Sequence, residues 1–310
     1  MAKKYKTALV TGGAGFIGSH IVDALIKRRI KVYVVDDLSS GRKSNVNPNA
    51  HFTKMSILNP QFPKYLKRVS PDIIFHTAAH INLRESIIDP PSDAETNVLG
   101  TLKLAHHAGK IGVKKIVFSS TGGAMYSTDA RIPTSEKVAP APISPYGIAK
   151  RSGEMYLNFA YHVHGIEYIA LRYANVYGPR QHAKSESGVI SIFGEKMLQG
   201  EPVAISGSGK QTRDFVYVDD VVRANMLAMN KKVIGEFNIG TGKETDINTL
   251  FRKMKDITGY QLSPRKLPEP PGEIARSALD ARKARAYLGW TPKTRLEEGL
   301  QKTIRSFQKK

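Results

Sequence analysis

Cysteine is absent from this chain of 310 residues. Disulfide bonds, thiolate metal sites and thiol nucleophiles are therefore excluded, because each of them needs a cysteine sulfur. Long apolar runs are missing too, since no segment approaches the roughly 18 uninterrupted apolar residues that indicate a membrane-spanning helix. The amino-terminal residues MAKKYKT lead directly into a predicted strand, which leaves no room for a signal peptide. We therefore expect a cytoplasmic protein with no membrane partner.

Acidic residues are scarce compared with basic ones. Lysine and arginine total 47 against 27 aspartates and glutamates, which gives a formal net charge of +20. The basic residues are scattered in small groups such as Lys27–Arg29, without interleaved aromatic residues or a nucleic-acid-binding motif. We interpret most of them as solvated surface charge that also attracts anionic nucleotides. No specific nucleic-acid partner is expected, although a basic protein associated with nucleic acid remains an alternative.

Glycine, in contrast, is concentrated near the amino terminus, in the segment TGGAGFIGSH. The flanking residues are typical of a buried strand, Lys6–Val10, and a helix, Ala14–Arg29. The glycines between them that fit the dinucleotide-binding fingerprint are Gly12, Gly13, Gly15 and Gly18. Glycines let the backbone turn tightly and approach a pyrophosphate, which then faces the positive end of the helix. The segment therefore predicts a dinucleotide site.

The next predicted strand, Lys31–Val35, indicates which dinucleotide is bound. It ends at Asp36, eighteen positions after Gly18. A carboxylate at this position accepts hydrogen bonds from the adenosine ribose and repels a 2′-phosphate. NAD is therefore the predicted cofactor, in preference to NADP.

Hydrophobic strands continue to alternate with amphipathic helical stretches. The further predicted strands are Asp72–His76, Lys114–Ser119 and Glu167–Leu171. The predicted helices between and after them are Ala94–Lys110 and Tyr146–His164. This alternation predicts an α/β fold with a Rossmann-type doubly wound parallel sheet, which binds ligands at the carboxyl ends of its strands.

The alternation weakens after about residue 172, where glycine and proline become frequent, as in PRKLPEPPGE. We expect residues 1–171 to form the NAD-binding domain, and residues 172–212 and 240–310 to form a smaller α/β substrate-binding lobe. Two regular segments between these parts, Asp214–Asn230 and Glu236–Ile239, are expected to return to the first domain, so that about 213–239 belongs there.

Tyr146 and Lys150 are four residues apart in SPYGIAKRSGEMY and would share one face of a helix. A free phenol has a pKa near ~10. A fixed ammonium group beside it stabilises the phenolate and lowers that pKa, and a bound nicotinamide carrying positive charge would add to this effect. Tyr146 is therefore a candidate general base near neutral pH, acting on a hydroxyl group held beside the dinucleotide.

The histidines show no metal-binding pattern. His76 and His80 are four residues apart but straddle a predicted strand end, and the other histidines lack acidic companions. We predict no metal site.

Several ordered segments resemble the extended short-chain dehydrogenase/reductases of the NAD-dependent epimerase/dehydratase family, over nearly the whole chain. They are TGGAGFIGSH, DDLSSG, HTAAHINLRESIIDP, FSSTGGAMY, SPYGIAK, LRYANVYGPRQ and QTRDFVYVDDV. Within that family the chain is most similar to the UDP-glucose 4-epimerases. The resemblance implies reversible inversion at C4 of a UDP-hexose, through transient NAD-mediated oxidation that Tyr146 starts by deprotonating the 4-hydroxyl.

The resemblance also implies roles for individual residues. The implied catalytic residues are Thr121, Tyr146 and Lys150, with Ser120 as the alternative to Thr121 for contacting the sugar 4-hydroxyl. The implied cofactor-binding residues are Gly12, Gly13, Gly15, Phe16, Ile17, Asp36, Asp37, Ser40, Gly41, Ser56, Ile57, Thr77, Ala78, Ala79, Asn97, Ser119, Tyr146, Lys150 and Tyr173. The implied substrate-binding residues are Ser120, Thr121, Asn175, Val189, Arg213, Arg276 and Ser277, among which Asn175 and Arg213 would contact the diphosphate.

Three positions bear on how far the resemblance extends. Pro270 stands where relatives often have a phosphate-binding arginine, so Arg276 would have to replace it. Ser56 stands where many relatives place an aspartate near the adenine. Ser277 falls at the position whose residue limits the size of the sugar pocket in related enzymes. Its small size implies that N-acetylated sugars are accepted as well.

Other reactions of the family fit less well. Gly122 and Gly123 follow Thr121, where 4,6-dehydratases carry an acidic pair and decarboxylases tend to carry a glutamate. An epimerase or reductase of another nucleotide sugar, such as UDP-glucuronate, and a non-catalytic NAD-binding regulator remain alternatives. Family members commonly pair through two helices, so we expect a homodimer formed by the helices predicted at Ala94–Lys110 and Tyr146–His164.

Overall fold

The computed structural model describes residues 5–182, 188–269 and 274–308, and its centre is a seven-stranded parallel sheet. The strands of this sheet are β1 (Thr7–Thr11), β2 (Lys31–Asp36), β3 (His51–Lys54), β4 (Ile73–His76), β5 (Lys115–Thr121), β6 (Glu167–Tyr173) and β11 (Gly235–Ile239). Their spatial order is β3-β2-β1-β4-β5-β6-β11. All four residues of β4 are buried, because helices cover both faces of the sheet.

Helices pack on each face of the sheet. One face is covered by α1 (Phe16–Lys27), α8 (Val218–Asn230) and α10 (Arg282–Leu288). The other is covered by α2 (Phe62–Val69), α5 (Gly100–Lys110) and α6 (Pro145–His164). Consecutive residues of β1 point to opposite cores, since Val10 packs under α1 and Leu9 packs under α5 and α6. The predicted doubly wound Rossmann-type fold is confirmed.

The segment before α5 differs from the single helix predicted at Ala94–Lys110. Two short helices, α3 (Leu83–Ile88) and α4 (Pro90–Ala94), precede a π-helical turn at Glu95–Leu99. Within that turn the Asn97 amide accepts a hydrogen bond from the His80 backbone N–H at 2.9 Å and donates to the His80 carbonyl at 2.8 Å. The turn therefore holds the loop that follows β4, and such turns are frequent at functional sites.

A second core lies beyond one edge of the sheet. Its helices are α7 (Val189–Leu198), α9 (Ile247–Thr258) and α11 (Leu296–Gln308). Its strands form three two-stranded ladders, and they are β7 (Asn175–Tyr177), β8 (Ala204–Ser206), β9 (Thr212–Arg213), β10 (Phe215–Tyr217), β12 (Thr245–Asp246) and β13 (Arg265–Leu267). Phe193, Phe251 and Ile304 pack in this core together with Phe16 of α1, so the two cores meet at the start of that helix.

The segments expected to return to the first domain lie against its sheet. Strand β11 pairs in parallel with β6, from Gly235 opposite Ile169 to Ile239 opposite Tyr173. Helix α8 buries Val221 and Ala224 in the same core as Val10. The division of the chain into an NAD-binding domain and a substrate lobe stays a prediction. Within the described residues, no helix combines the length and apolarity needed to cross a membrane.

Candidate active site

A cleft of about 370 Å³ opens at the carboxyl ends of the central strands. Gly12 follows β1, Asp36 ends β2, Thr77 follows β4, Thr121 ends β5 and Tyr173 ends β6, and all five line the cleft. Ligands of open α/β sheets bind at this edge, where the strand order reverses. The fold therefore brings together polar residues that are far apart in the sequence.

Most of the predicted coenzyme and catalytic residues meet in this cleft. Those that line it are Gly12, Gly15, Phe16, Ile17, Asp36, Asp37, Ser40, Ser56, Ile57, Thr77, Ala78, Ala79, Ser119, Ser120, Thr121, Tyr146, Lys150 and Tyr173. Gly13, Gly41 and Asn97 lie outside the lining. A Cβ atom at Gly13 would stand 2.7 Å from a Val34 methyl group, and one at Gly41 would stand 2.9 Å from the Asp36 carboxylate. These two glycines therefore allow close packing behind the residues that line the cleft.

The glycine turn is built so that backbone approaches backbone. Gly12 has φ +70°, and a Cβ atom there would lie 2.6 Å from the Ala78 amide nitrogen. A Cβ atom at Gly18 would overlap the Gly12 carbonyl oxygen. Gly15 is the N-cap residue of α1 and offers no capping side chain, so the first amide groups of the helix remain available to an anion in the cleft.

Asp36, the last residue of β2, is held rigidly beside the glycine turn. Its carboxylate accepts hydrogen bonds from the Ala14 amide at 2.9 Å and from the Leu38 amide at 2.8 Å. Burial raises the pKa of this carboxyl group, while the backbone donors oppose the rise. The turn and this acid together fit a pyrophosphate joined to a ribose.

Tyr146 and Lys150 lie in the first two turns of α6, which begins with a capped amino terminus. The Ser144 hydroxyl accepts from the Gly147 amide at 3.2 Å, and Pro145 occupies the first helical position. Lys150 is 3% exposed and donates to the Ser119 carbonyl at 2.9 Å. Its ammonium nitrogen lies 5.8 Å from the centre of the Tyr146 ring, so the predicted pairing is present.

The charge balance of the pair differs from the sequence-based expectation. Burial lowers the pKa of Lys150 to about 8, so its ammonium group is still mainly protonated at pH 7. Burial raises the pKa of Tyr146, and the negative charge of Asp93 adds to the rise. The lowering of the Tyr146 pKa that was expected from Lys150 is therefore outweighed. The buried phenol has lost its contact with water, and the closest contact of the Lys150 ammonium group is with the Ser119 carbonyl.

The two candidate hydroxyl groups at the end of β5 have different surroundings. Ser120 is 3% exposed and donates to the Glu154 carboxylate at 2.7 Å. Thr121 is half-buried, and its hydroxyl oxygen accepts from the Ala124 amide at 3.3 Å. An accepting hydroxyl keeps its proton for a further partner. The geometry therefore favours Thr121 over Ser120 for contact with a ligand.

A second cleft of about 330 Å³ adjoins the first, and Asn175 lines both. Its walls include the predicted residues Val189 and Arg213 and the aromatic rings of Phe193 and Phe215. The Arg213 guanidinium is steadied by the carbonyls of Thr212 at 2.8 Å and Ile274 at 2.6 Å. This arrangement suits a flat apolar group attached to an anion.

Comparison with known proteins agrees with this geometry. Residues 8–240 match the family described as NAD dependent epimerase/dehydratase. The chain belongs to the NAD-dependent epimerase/dehydratase family.

Several members of the family are similar to this chain over nearly its whole length. The UDP-glucose 4-epimerase of Mycolicibacterium smegmatis is 42% identical over 308 residues, which cover 97% of this chain and 98% of that protein. The crystal structure of the UDP-glucose 4-epimerase of Thermotoga maritima with UDP-glucose has 51% identity and a TM-score of 0.96, covering 98% of this chain and 99% of that one. The UDP-N-acetylglucosamine 4-epimerase of Methanobrevibacter ruminantium M1, in complex with UDP-N-acetylmuramic acid, has 36% identity and a TM-score of 0.93, with 99% of both chains covered.

NAD is the cofactor of this epimerase/dehydratase family member. The residues of the first cleft fit it: Gly12 and Gly15 leave room for the pyrophosphate, Asp36 faces the ribose position, and Lys150 lies at the far end. Ser56 also lines the cleft, and its hydroxyl accepts from the Leu58 amide at 3.2 Å.

Two of the predicted substrate residues lie outside both clefts. The Arg276 side chain is 63% exposed and forms a bidentate pair with Glu244 at 2.9 and 2.5 Å. Ser277 is half-buried beside the same segment. Pro270, where a family arginine was expected, is outside the described residues. The roles predicted for Arg276 and Ser277 stay predictions.

Sequence reasoning missed several residues of this family member's cleft. His80, Thr96 and Gln181 line it, and Asp93 stands behind it. Asp93 is 2% exposed and has one carboxylate oxygen without a hydrogen-bond partner. A buried acid within HTAAHINLRESIIDPPSDAETN carries no signal of its own, because its burial depends on the packing of α4 against α6. His76, in contrast, is fully buried between the hydroxyls of Thr11 and Thr101, and burial lowers its pKa to about 3.

Proposed function

We propose that this chain is an isomerase that interconverts UDP-glucose and UDP-galactose, and also their N-acetylated forms, by NAD-dependent epimerisation at C4. The observation that carries the proposal is the meeting of Thr121, Tyr146 and Lys150 in the same cleft as the glycine turn and Asp36. The similarity to UDP-glucose and UDP-N-acetylglucosamine 4-epimerases supports the choice of substrate.

Three side chains carry out the chemistry of the sugar hydroxyl in this proposal. The Thr121 hydroxyl orients the 4-hydroxyl group, and Tyr146 accepts its proton. The chemistry that bound NAD would supply is reversible hydride transfer at C4. Tyr146 then gives the proton back after the sugar has turned to present its other face. Lys150 stabilises the phenolate throughout, because its ammonium group is fixed beside the ring.

The charge balance of the cleft adds a condition to this mechanism. Because burial raises the pKa of Tyr146, the protein's own groups favour the neutral phenol. A further positive charge in the cleft would lower this pKa again, because it stabilises the phenolate. Such a charge, together with Lys150, would therefore favour the action of Tyr146 as a base.

The second cleft would bind the UDP part of the substrate. Arg213 lines this cleft, and the guanidinium is the side chain whose geometry best matches phosphate oxygens, while Asn175 lies where the two clefts join. Val189, Phe193 and Phe215 supply an apolar wall for the uracil ring. In this proposal the diphosphate would lie where the two clefts join, with the sugar directed toward Tyr146.

The loop after Thr121 supports epimerisation over elimination. A Cβ atom at Gly122 would overlap the Leu279 side chain. An acidic residue at this position, which a dehydratase needs, could not be placed without moving that leucine. The Leu279 side chain thus packs directly against this loop at Gly122.

We also propose a homodimer formed through α5 and α6. The inward face of α6 packs on the sheet, whereas Ile148, Met155, Phe159 and Val163 on its other face are each 50–59% exposed. These four residues recur at helical spacing and form one apolar stripe. Such a stripe indicates a protein interface. Light scattering of wild type and Phe159→Glu would test it, and a wild-type monomer would contradict it. Cytoplasmic location also stays a prediction.

The function is tested by incubating the purified protein with each nucleotide sugar and no added NAD. The substrates are UDP-galactose, UDP-glucose, both N-acetylated forms and UDP-glucuronate, and the products are separated by chromatography. Conversion of UDP-galactose to UDP-glucose supports the proposal and shows that NAD is retained. Conversion of UDP-glucuronate alone would instead favour the alternative substrate. Retained NAD with no conversion of any sugar would favour a non-catalytic regulator.

A further inference from the structure

A buried ion pair lies behind the catalytic residues, out of contact with the cleft. Glu154 of α6 is 0% exposed and Arg172 of β6 is 2% exposed. The Arg172 Nε and Nη2 atoms donate to the two carboxylate oxygens of Glu154 at 2.8 and 2.7 Å. Removing two charges from water costs free energy that offsets much of their mutual attraction. Stability alone is therefore a weak reason for such a pair.

The pair is connected to both segments that carry the proposed catalytic groups. Glu154 lies four residues after Lys150 on the same face of α6. The same carboxylate accepts from the Ser120 hydroxyl at 2.7 Å, and Ser120 is bonded through the main chain to Thr121. Glu154 therefore joins the helix of Tyr146 and Lys150 to the strand end of Thr121.

Arg172 fixes the far end of the Thr121 loop. Its Nη1 atom donates to the Tyr126 hydroxyl at 2.9 Å, and that hydroxyl donates to the Asn238 side chain of β11 at 2.9 Å. The backbone N–H of Asn238 in turn donates to the Glu136 carboxylate at 2.7 Å. The loop is thus held at Ser120 and at Tyr126, on either side of Thr121, by bonds that start from one guanidinium–carboxylate pair.

Most of the remaining α6 contact with the sheet is apolar, apart from the Lys150 bond to the Ser119 carbonyl and a hydrogen bond that the Tyr168 hydroxyl donates to the Asn158 side chain at 3.3 Å. Gly153, Leu157 and Ala160 are buried against that side of the sheet, and a Cβ atom at Gly153 would lie 2.8 Å from the Phe118 ring. Apolar contacts have little directional preference. The paired bonds of Arg172 to Glu154 have a fixed planar geometry. They can therefore fix the rotation and the height of α6 relative to β5 and β6.

We propose that Glu154 and Arg172 are positioning residues for the reaction, which set the distance between Thr121 and Tyr146. This rests on the proposed epimerase function. A shift of about 1 Å between reacting groups can lower a rate by about 100-fold. The pair would consequently affect turnover of bound substrate more than the binding of substrate or NAD.

The chain offers a matched control at the other end of the same two strands. Lys115 begins β5 and Glu167 begins β6, and their charged atoms lie 3.1 Å apart. Lys115 is 0% exposed, like Glu154, and neither Lys115 nor Glu167 lines either cleft. Replacing this pair tests the effect of losing a buried charge from β5 and β6 without disturbing the catalytic end.

The experiment compares two double variants, Glu154→Leu/Arg172→Met and Lys115→Met/Glu167→Leu. Replacing both partners by apolar residues of similar size leaves no unpaired buried charge, so both variants are expected to fold. Thermal unfolding, bound NAD, kcat and KM for UDP-galactose are measured. We expect kcat to fall by about 100-fold in Glu154→Leu/Arg172→Met with KM and bound NAD unchanged. The control is expected to change the unfolding temperature but not kcat.

Arg172→Lys is the second test, because it keeps the charge but cannot make the forked bonds. We expect it to fold and to lose about tenfold in kcat, at constant KM, as a smaller misplacement would give. A folded Glu154→Leu/Arg172→Met variant with wild-type kcat would overturn the proposal, as would a loss confined to KM or an equal kcat loss in the control. If the double variant does not fold, wild-type kcat in Arg172→Lys overturns it. A wild type that converts no UDP-hexose would instead refute the epimerase function.

Discussion

The two halves of the active-site region are assembled in different ways. The coenzyme half is built largely from strand ends of one sheet, since Gly12 follows β1, Asp36 ends β2 and Thr77 follows β4. The substrate half is held by short ladders between distant segments, such as β7 with β10 and β9 with β12. Local sequence therefore dictates the first half, whereas long-range packing dictates the second.

The same difference appears in how single side chains are fixed. Asp36 is oriented by amides two and twenty-two residues away, within one βαβ unit. Arg213 depends on the carbonyl of Ile274, sixty-one residues away. A change in the second lobe can thus move the substrate contacts without altering the coenzyme contacts. Variants in each half should therefore have separate effects.

The largest effect is expected from Tyr146→Phe, which removes the proposed base and leaves the coenzyme contacts in place. General acid–base catalysis contributes about 10²- to 10⁴-fold, so kcat should fall within that range. Bound NAD should be unchanged when it is released by denaturation and quantified. Tyr156→Phe on the same helix is the control and should keep full activity, because Tyr156 lines neither cleft. Wild-type turnover in Tyr146→Phe would contradict the assigned role.

The features that the sequence predicts well are those with short-range causes. The glycine turn, Asp36 and the Tyr146–Lys150 pair follow from spacing within one helix or one βαβ unit. The edge strand β3 was missed because HFTK has exposed ends and no apolar alternation. The π-helical turn was missed because it depends on Asn97 reaching His80, seventeen residues earlier.

The sequence does not predict the rise of the Tyr146 pKa by burial, for a related reason. Spacing shows that an ammonium group is near the phenol, but it does not show how much water either group loses. The partner of Ser120 is equally hidden, since Glu154 lies thirty-four residues later and only the packing of α6 on β5 brings them together. The burial of a group, and its contacts with residues far along the chain, become visible only in the folded structure.

The next largest effect should come from Arg213→Met in the substrate half. A hydrogen bond to a charged group contributes about 1.5–3 kcal/mol, so KM for UDP-galactose should rise by about 10- to 100-fold. kcat and bound NAD should change little, because the reacting groups lie in the other half. Arg252→Met on the exposed face of α9 is the control. An equal rise of KM in Arg276→Met would show that Arg276 also reaches the phosphates, against its pairing with Glu244.

A smaller effect is expected from Asp93→Asn, which tests the electrostatics of the coenzyme half. The charge of Asp93 raises the pKa of both Tyr146 and Lys150. Without that charge both pKa values fall. Activity needs the ionised phenol and the protonated ammonium, so the acid limb and the alkaline limb of the kcat profile should both move to lower pH. Glu95→Gln, a solvent-exposed neighbour, should leave the profile in place. Superimposed profiles for wild type and Asp93→Asn would contradict the assignment.

The smallest effect is expected at Ser277, and it decides how far the substrate half extends. If Ser277 bounds the sugar pocket, Ser277→Tyr should lower turnover of UDP-N-acetylglucosamine and leave UDP-glucose turnover nearly unchanged, because only the N-acetyl group meets the larger side chain. Both rates are measured on the same preparation. Equal losses for the two sugars would refute a size gate. They would point instead to a shift of the nearby Leu279 side chain, which packs against Gly122 next to Thr121.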